Sequence, residues 1–221
     1  MPLTVETIGN EAQPLCILDD FAPRPDALRA AAAAAAFGPA RHHYPGLRAA
    51  LPDGYFETQL PIIAATVRHV FGRTGEVRIL DASFSIVTTP PAALSVAQRL
   101  PHCDAFTPDR IALIHYLALE GGDGTAFFRH RATGFETVSE DRRAAYFAAL
   151  DAELAVAEPP PGYIAGNTDL FACTRTVEAR YNRALLYRSC NLHSGAIAAD
   201  AVLAADPKRG RLTVTAFLAV G

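Results

Sequence analysis

Beyond Glu76 the chain breaks into short β-branched and aromatic runs separated by turn residues, and this change of pattern restricts the possible architectures more than any other feature. Strand candidates occupy 77–88, 94–98, 111–119 and 125–128, then 169–178, 184–189 and 212–220. Two more, 3–8 and 14–18, open the chain and run into the turn Asp19-Asp20. Strands this close in sequence pair antiparallel, because a parallel pair needs a crossover of about a dozen residues or more. Helical material is confined to three places. An alanine-rich segment, 27–37, follows Pro25 and Asp26, which suit the first turn of a helix. Pro61 starts a second helix, in which Ile63, Val67, Val70 and Phe71 recur at helical spacing. The hydroxyl of Ser139 caps a third, whose apolar face is Tyr146, Leu150 and Leu154 and which Pro159-Pro160-Pro161-Gly162 ends. The stretch 41–54 is dense in turn residues and reads as an irregular connection. The expected class is α+β, mainly β: a jelly roll of two sheets, a double-stranded β-helix, with the N-terminal helices packed on one sheet.

The chain has 221 residues, of which 50% are hydrophobic and 19% charged, enough apolar material for one core and one domain over 1–221. A formal net charge of −3 argues against nucleic acid or an anionic membrane as a partner. No apolar run approaches the roughly 18 residues of a membrane helix. The first residues hold no basic segment followed by an apolar one, so a soluble, cytoplasmic protein is expected. Cys16, Cys103, Cys173 and Cys190 form no C-x-x-C pair and read as buried thiols. The oligomeric state is left open.

His102-Cys103-Asp104 places an imidazole and a carboxylate two residues apart, and in extended chain such residues project from the same side. Cys103 then points the other way, into packing. His193, just after the strand at 184–189, is the candidate third ligand. Two histidines and one carboxylate on one face of a metal leave three positions open, the arrangement of non-haem Fe(II) oxygenases. Zinc is an alternative occupant of the same ligands, although a structural zinc site would normally be closed by a fourth protein ligand.

In order along the chain stand His102-Cys103-Asp104, the strand from Ile111 through Tyr116-Leu117, the turn Gly121-Gly122-Asp123-Gly124-Thr125, then Leu192-His193-Ser194-Gly195, and finally Arg211-Leu212-Thr213. With the opening Leu15-Cys16-Ile17-Leu18-Asp19-Asp20-Phe21, this series resembles the 2-oxoglutarate and Fe(II)-dependent oxygenase superfamily, particularly a bacterial branch of its prolyl-hydroxylase-like members. The resemblance implies that His102, Asp104 and His193 hold Fe(II), with 2-oxoglutarate and O2 as cosubstrates. It implies that Arg211 pairs with the far carboxylate of 2-oxoglutarate, assisted by Thr213 and Tyr116, with Thr125 as a further contact. Arg211 lies beyond the family's usual spacing from His193, across the turn-like stretch 198–210, and Arg209, Arg183 and Arg188 are alternative partners for that carboxylate.

The implied function is a hydroxylase-type oxygenase acting on a small molecule or peptide. A metal-bearing jelly-roll module that binds a ligand or protein without turnover is the alternative, and a metal-dependent hydrolase or isomerase is a third. Arg129 and His130, in the cluster Arg129-His130-Arg131, are candidates for binding an acidic substrate at the mouth of the site. His42 and His43 fall in a segment that could cover the pocket. His115, beside Tyr116, faces the opposite side of its strand and reads as structural or exposed.

Overall fold

The computed structural model describes residues 2–40, 44–120 and 124–221. Two antiparallel sheets face each other. The larger has the order β1 (Leu3–Ile8), β2 (Gln13–Leu18), β9 (Ala184–Arg188), β6 (Arg110–Tyr116), β11 (Leu212–Val220), β5 (Val77–Val87), β4 (Gly46–Ala49), β3 (Gly38–Pro39). The smaller has the order β10 (His193–Ala196), β7 (Gly124–His130), β8 (Phe171–Glu178). The sheets do not close into a barrel, and the fold is the mainly β jelly roll with helices that the sequence pattern implies.

Strand alternation sorts the core into layers. On the outer face of the larger sheet, Phe84, Ile86, Leu212 and Val214 meet Ala32 of α1 (Pro25–Ala34), while Ile111, Leu113, Ala216 and Leu218 meet Ile63, Val67 and Phe71 of α2 (Tyr55–Phe71). On the outer face of the smaller sheet, Ala126, Phe128 and Phe171 pack on Tyr146 and Leu150 of α3 (Glu140–Leu154). Between the sheets, Leu15, Ala112, Tyr116, Leu185 and Tyr187 pack against Phe127 and Val177. That cluster fills the β2–β9–β6 half of the interior. The β11–β5–β4 half carries smaller and more polar inward residues, Thr213, Thr215 and Ser85, and there the sheets part into a cavity.

Several elements differ from the sequence pattern. Residues 94–98 form no strand: Ser95 N–H donates to the Gln98 side chain at 2.9 Å, and the segment folds into 3-10 turns at Pro91–Ala93 and Val96–Arg99. Pro61 lies inside α2 rather than at its start, because burying Tyr55 and Gln59 extends the helix back to Gly54, whose φ of 79° suits glycine. Helix α1 stops at Ala34, short of Phe37. The stretch 41–54 is not wholly irregular: Gly46–Ala49 is a strand on β5, and β10 was likewise not anticipated. Ser139 begins α3, yet its side chain makes no capping bond to the helix amides. Among the described residues no helix is long and apolar enough to cross a membrane.

Candidate metal centre

His102 and His193 are neighbours because their backbones are paired. Each amide N–H donates to the other residue's carbonyl at 2.9 Å, and Asp104 N–H donates to Ser189 O at 2.8 Å. The segment carrying His102 and Asp104 is thereby fixed along the end of β10, and the ligand atoms of His102, Asp104 and His193 all lie within 4.8 Å of one another. Asp104 faces both rings: Oδ1 is 3.6 Å from His102 Nε2, and Oδ2 is 3.5 Å from His193 Nε2. In a six-coordinate site with bonds of about 2.1 Å, adjacent ligand atoms stand about 3 Å apart, so closure on a metal needs only small movements.

The tautomer of His193 follows from its partner. Nδ1 lies 3.0 Å from the Asn191 carbonyl, which only accepts, so Nδ1 carries the proton and Nε2 keeps its lone pair toward Asp104. The ring is held edge-on against Tyr187, at 4.9 Å between centroids, and beside His102 at 4.4 Å. His193 is buried while the His102 side chain is 55% exposed, so solvent reaches the centre from the His102 side. Cys103 points away and packs against the Phe128, Val138 and Tyr146 cluster. Burial, reinforced by the neighbouring Asp104 carboxylate, pushes its thiol up to about 12.

A cavity of about 570 Å³ runs from the triad to Arg211, with Thr125, Thr213 and Gly195 also in its wall. Arg211 reaches it because 198–210 folds back on itself. Gly210 N–H donates to Asp206 O at 2.7 Å, and a Cβ on Gly210 would stand 2.2 Å from Ala204 O, a contact only glycine avoids. Arg211 Nη2 then donates to Gly124 O at 2.6 Å, and its guanidinium lies 5.8 Å above the Tyr116 ring. Tyr116 is fully buried with its hydroxyl on Thr125 Oγ1 at 2.7 Å, so it supports Arg211 and Thr125 from behind. Burial raises its phenol, with Arg211 opposing. Thr213 Oγ1 donates to Ser85 O at 3.3 Å. Gly124, which Arg211 holds, pairs with Ala196, and Arg211 Nη1 would stand 4.0 Å from a Cβ on Gly195, so the guanidinium lies two to three strand residues, about 7 to 10 Å, from the level of His193.

The three alternative arginines do not line the cavity. Arg183 forms a fork on Asp19 at 2.6 and 2.9 Å, Arg188 binds Gln13 at 2.9 Å, and Arg209 is exposed. Neither Arg129 nor His130 lines the cavity. Parity along β7 turns His130 with Ala126 and Phe128 toward α3, where it meets Glu153 at 2.7 Å while its other ring nitrogen meets Thr133 of the following turn at 2.9 Å, and Arg129 sits 3.9 Å from Glu136. His115 is structural, buried between the Tyr55 hydroxyl at 3.1 Å and Asn182 Oδ1 at 3.0 Å. His42, His43 and the turn Gly121-Gly122-Asp123 lie outside the described residues.

Among the cavity residues that sequence reasoning missed are Tyr44, Arg48, Asp81 and Tyr163. Burial, opposed by Arg211 and Arg48 and by the neighbouring Ser85 and Thr213 side chains, pushes the Tyr44 hydroxyl up to about 12. Tyr163 donates to Thr89 O at 2.7 Å, tying the loop after α3 to the cavity wall. The available signal was the alternation of β5, which puts Asp81, Ser83 and Ser85 on one side.

Solved structures similar to the chain include HygX and SnoN. HygX from Streptomyces hygroscopicus, determined with nickel, 2-oxoglutarate and hygromycin B bound, aligns at a TM-score of 0.48 and 10% identity over 95% of this chain and 84% of that one. SnoN, a non-heme alpha ketoglutarate dependent epimerase from nogalamycin biosynthesis, aligns at 0.46 and 14% identity over 93% and 78%. No curated protein matches. One family model matches residues 1–218, and the chain belongs to that family, DUF6445, a family of unknown function.

Proposed function

We propose that the chain is a non-haem Fe(II), 2-oxoglutarate-dependent oxygenase. The observation that carries this reading is the joint geometry of one cavity: two histidines and one carboxylate converge at one end, and a guanidinium stands about 7 to 10 Å further along the strands. The donor set suits Fe(II), since a facial two-histidine, one-carboxylate triad leaves adjacent positions open for a chelating cosubstrate and O2. The spacing to Arg211 matches the length of a five-carbon diacid that is chelated at one end and ion-paired at the other.

When bound, Fe(II) with 2-oxoglutarate and O2 supplies the oxidation that installs a hydroxyl on an unactivated carbon. The chain supplies placement. His193, locked by Asn191 O, and Asp104, locked through its amide on Ser189 O, present their lone pairs to one point. Arg211 offers its fork to a carboxylate while Gly124 O and the Tyr116 ring restrain it, and the Thr125 and Thr213 hydroxyls flank that position. Ile114, Ile197 and Phe217 line the remaining wall and exclude water.

The test is an anaerobic visible spectrum with Fe(II), before and after adding 2-oxoglutarate. A new charge-transfer band is expected, and Arg211→Ala should weaken 2-oxoglutarate at least tenfold while iron binding persists. Iron binding without a band would sink the oxygenase reading in favour of a binding module.

A further inference from the structure

Past the triad and Arg211 the cavity reaches a second pair of opposite charges, Arg48 and Asp81, for which the proposed reaction has no use. Arg48 stands on β4 opposite Ser85, which in turn stands opposite Thr213, so it extends the polar row of the cavity floor by two strands. Its guanidinium lies 4.8 Å above the Tyr44 ring, and a single Nη1 contact reaches Asp81 Oδ2 at 3.5 Å. Its buried Nε has no hydrogen-bond partner among the described residues. A guanidinium carries five donors in a fixed fork, and this one is held mainly by stacking.

A long, single-contact ion pair with one half-exposed partner contributes little, so exchanging each ion for a ligand charge is not opposed. A molecule with an ammonium and a carboxylate on one carbon makes that exchange without changing the charge of the site: carboxylate to Arg48, ammonium to Asp81. A lone carboxylate would meet the repulsion of Asp81, and a lone amine that of Arg48. The rest of the ligand is set by the floor. Asp81 shares a register row with Phe217, Ala112 and Tyr187, and Tyr187 packs on His193. The charged pair is therefore about three strand spacings, or about 14 Å, from the wall of the metal centre, over apolar side chains.

We infer that Arg48 and Asp81 are the head-group subsite for a free α-amino acid with a large apolar side chain. That this amino acid is the substrate rests on the oxygenase reading; that it binds does not. The test is calorimetry on the full chain loaded with Zn(II), with and without 2-oxoglutarate. The probes are L-phenylalanine, L-leucine, glycine, 3-phenylpropionate and phenethylamine.

At least one of the two large amino acids is expected to bind ten or more times tighter than glycine and than either one-charge analogue. Arg48→Met and Asp81→Asn should each weaken it at least tenfold with Zn(II) affinity unchanged. Asp81→Asn, at an exposed position, stands as the test should Arg48→Met fail to fold. No binding by either amino acid, equal binding by a one-charge analogue, or full affinity in Asp81→Asn overturns the subsite. The two readings fail separately. An amino acid bound without any response to 2-oxoglutarate keeps the subsite and removes the oxygenase, whereas 2-oxoglutarate binding without an amino acid removes the subsite alone.

Discussion

His130 and His193 lie on paired strands of the same small sheet, both buried, and differ in what their second ring nitrogen meets. In His130 both nitrogens end on side chains, Thr133 at 2.9 Å and Glu153 at 2.7 Å. In His193 one nitrogen is spent on a backbone carbonyl, and the other faces a carboxylate and a second imidazole at the wall of a cavity. A histidine satisfied on both sides supports the fold. One that is fixed on a single side, with its other lone pair directed at further donor atoms, is built to bind. His115, held by Tyr55 and Asn182, belongs with His130.

The sharpest way to break this contrast is to remove each ring. His193→Ala should cost at least about a thousandfold in Fe(II) affinity, since a ligand is lost from a site with only three protein donors. Calorimetry with Fe(II) under argon measures it, and near-native affinity would take His193 out of the coordination sphere. His130→Ala should leave iron affinity within about twofold yet lower stability by about 4 kcal/mol, through the void beside Tyr146 and Phe171 and the stranded Glu153 carboxylate. Urea unfolding checks the second half. Loss of iron by a folded His130→Ala protein would dissolve the distinction.

How far the sequence carried follows from which signals are local. The pairing of His102 with Asp104 was legible because two-residue spacing in extended chain sets direction without knowledge of the fold. Strand β11 was legible to the residue because apolar positions alternate from Leu212 to Val220. Parity could also have read His130: with Thr125 facing the cavity, residues 126, 128 and 130 must face away, and the polar company of Arg129 and Arg131 obscured this. Arg48 and Tyr44 were not legible. Strand β4 is four residues long, and its extended state comes from pairing with β5 rather than from the propensity of Gly46-Leu47-Arg48-Ala49. The reach of Arg211 depends on the fold of 198–210, which no spacing rule encodes.

A smaller effect separates His115 from the proposed metal ligands through pH. Burial, only partly opposed by the bond to Asn182, lowers its ring from the ordinary 6.5 to about 4. Between those values the unfolded chain takes up a proton that the folded chain refuses, so stability is full above 6.5 and falls as acid is added, by no more than about 3 kcal/mol near pH 4. The carboxylates of Glu6 and Asp19, lowered by hydrogen bonds from Arg175 and Arg183, lose their contribution only as pH falls further. Urea midpoints at pH 7 and 5 should therefore drop more for the wild type than for His115→Gln. Parallel slopes would mean the buried ring accepts its proton in place.

Cys103 gives the finest test, because it sits between two proposed ligands and yet faces the other layer. Its thiol packs with the Phe128, Val138 and Tyr146 cluster, so Cys103→Ser should cost about 1 kcal/mol for seating a hydroxyl among apolar groups, and Fe(II) affinity should stay within about twofold. A larger loss of iron than of stability would put sulfur in the coordination sphere. That result would replace a facial triad by a four-donor site, and with it the open positions on which the oxygenase reading depends.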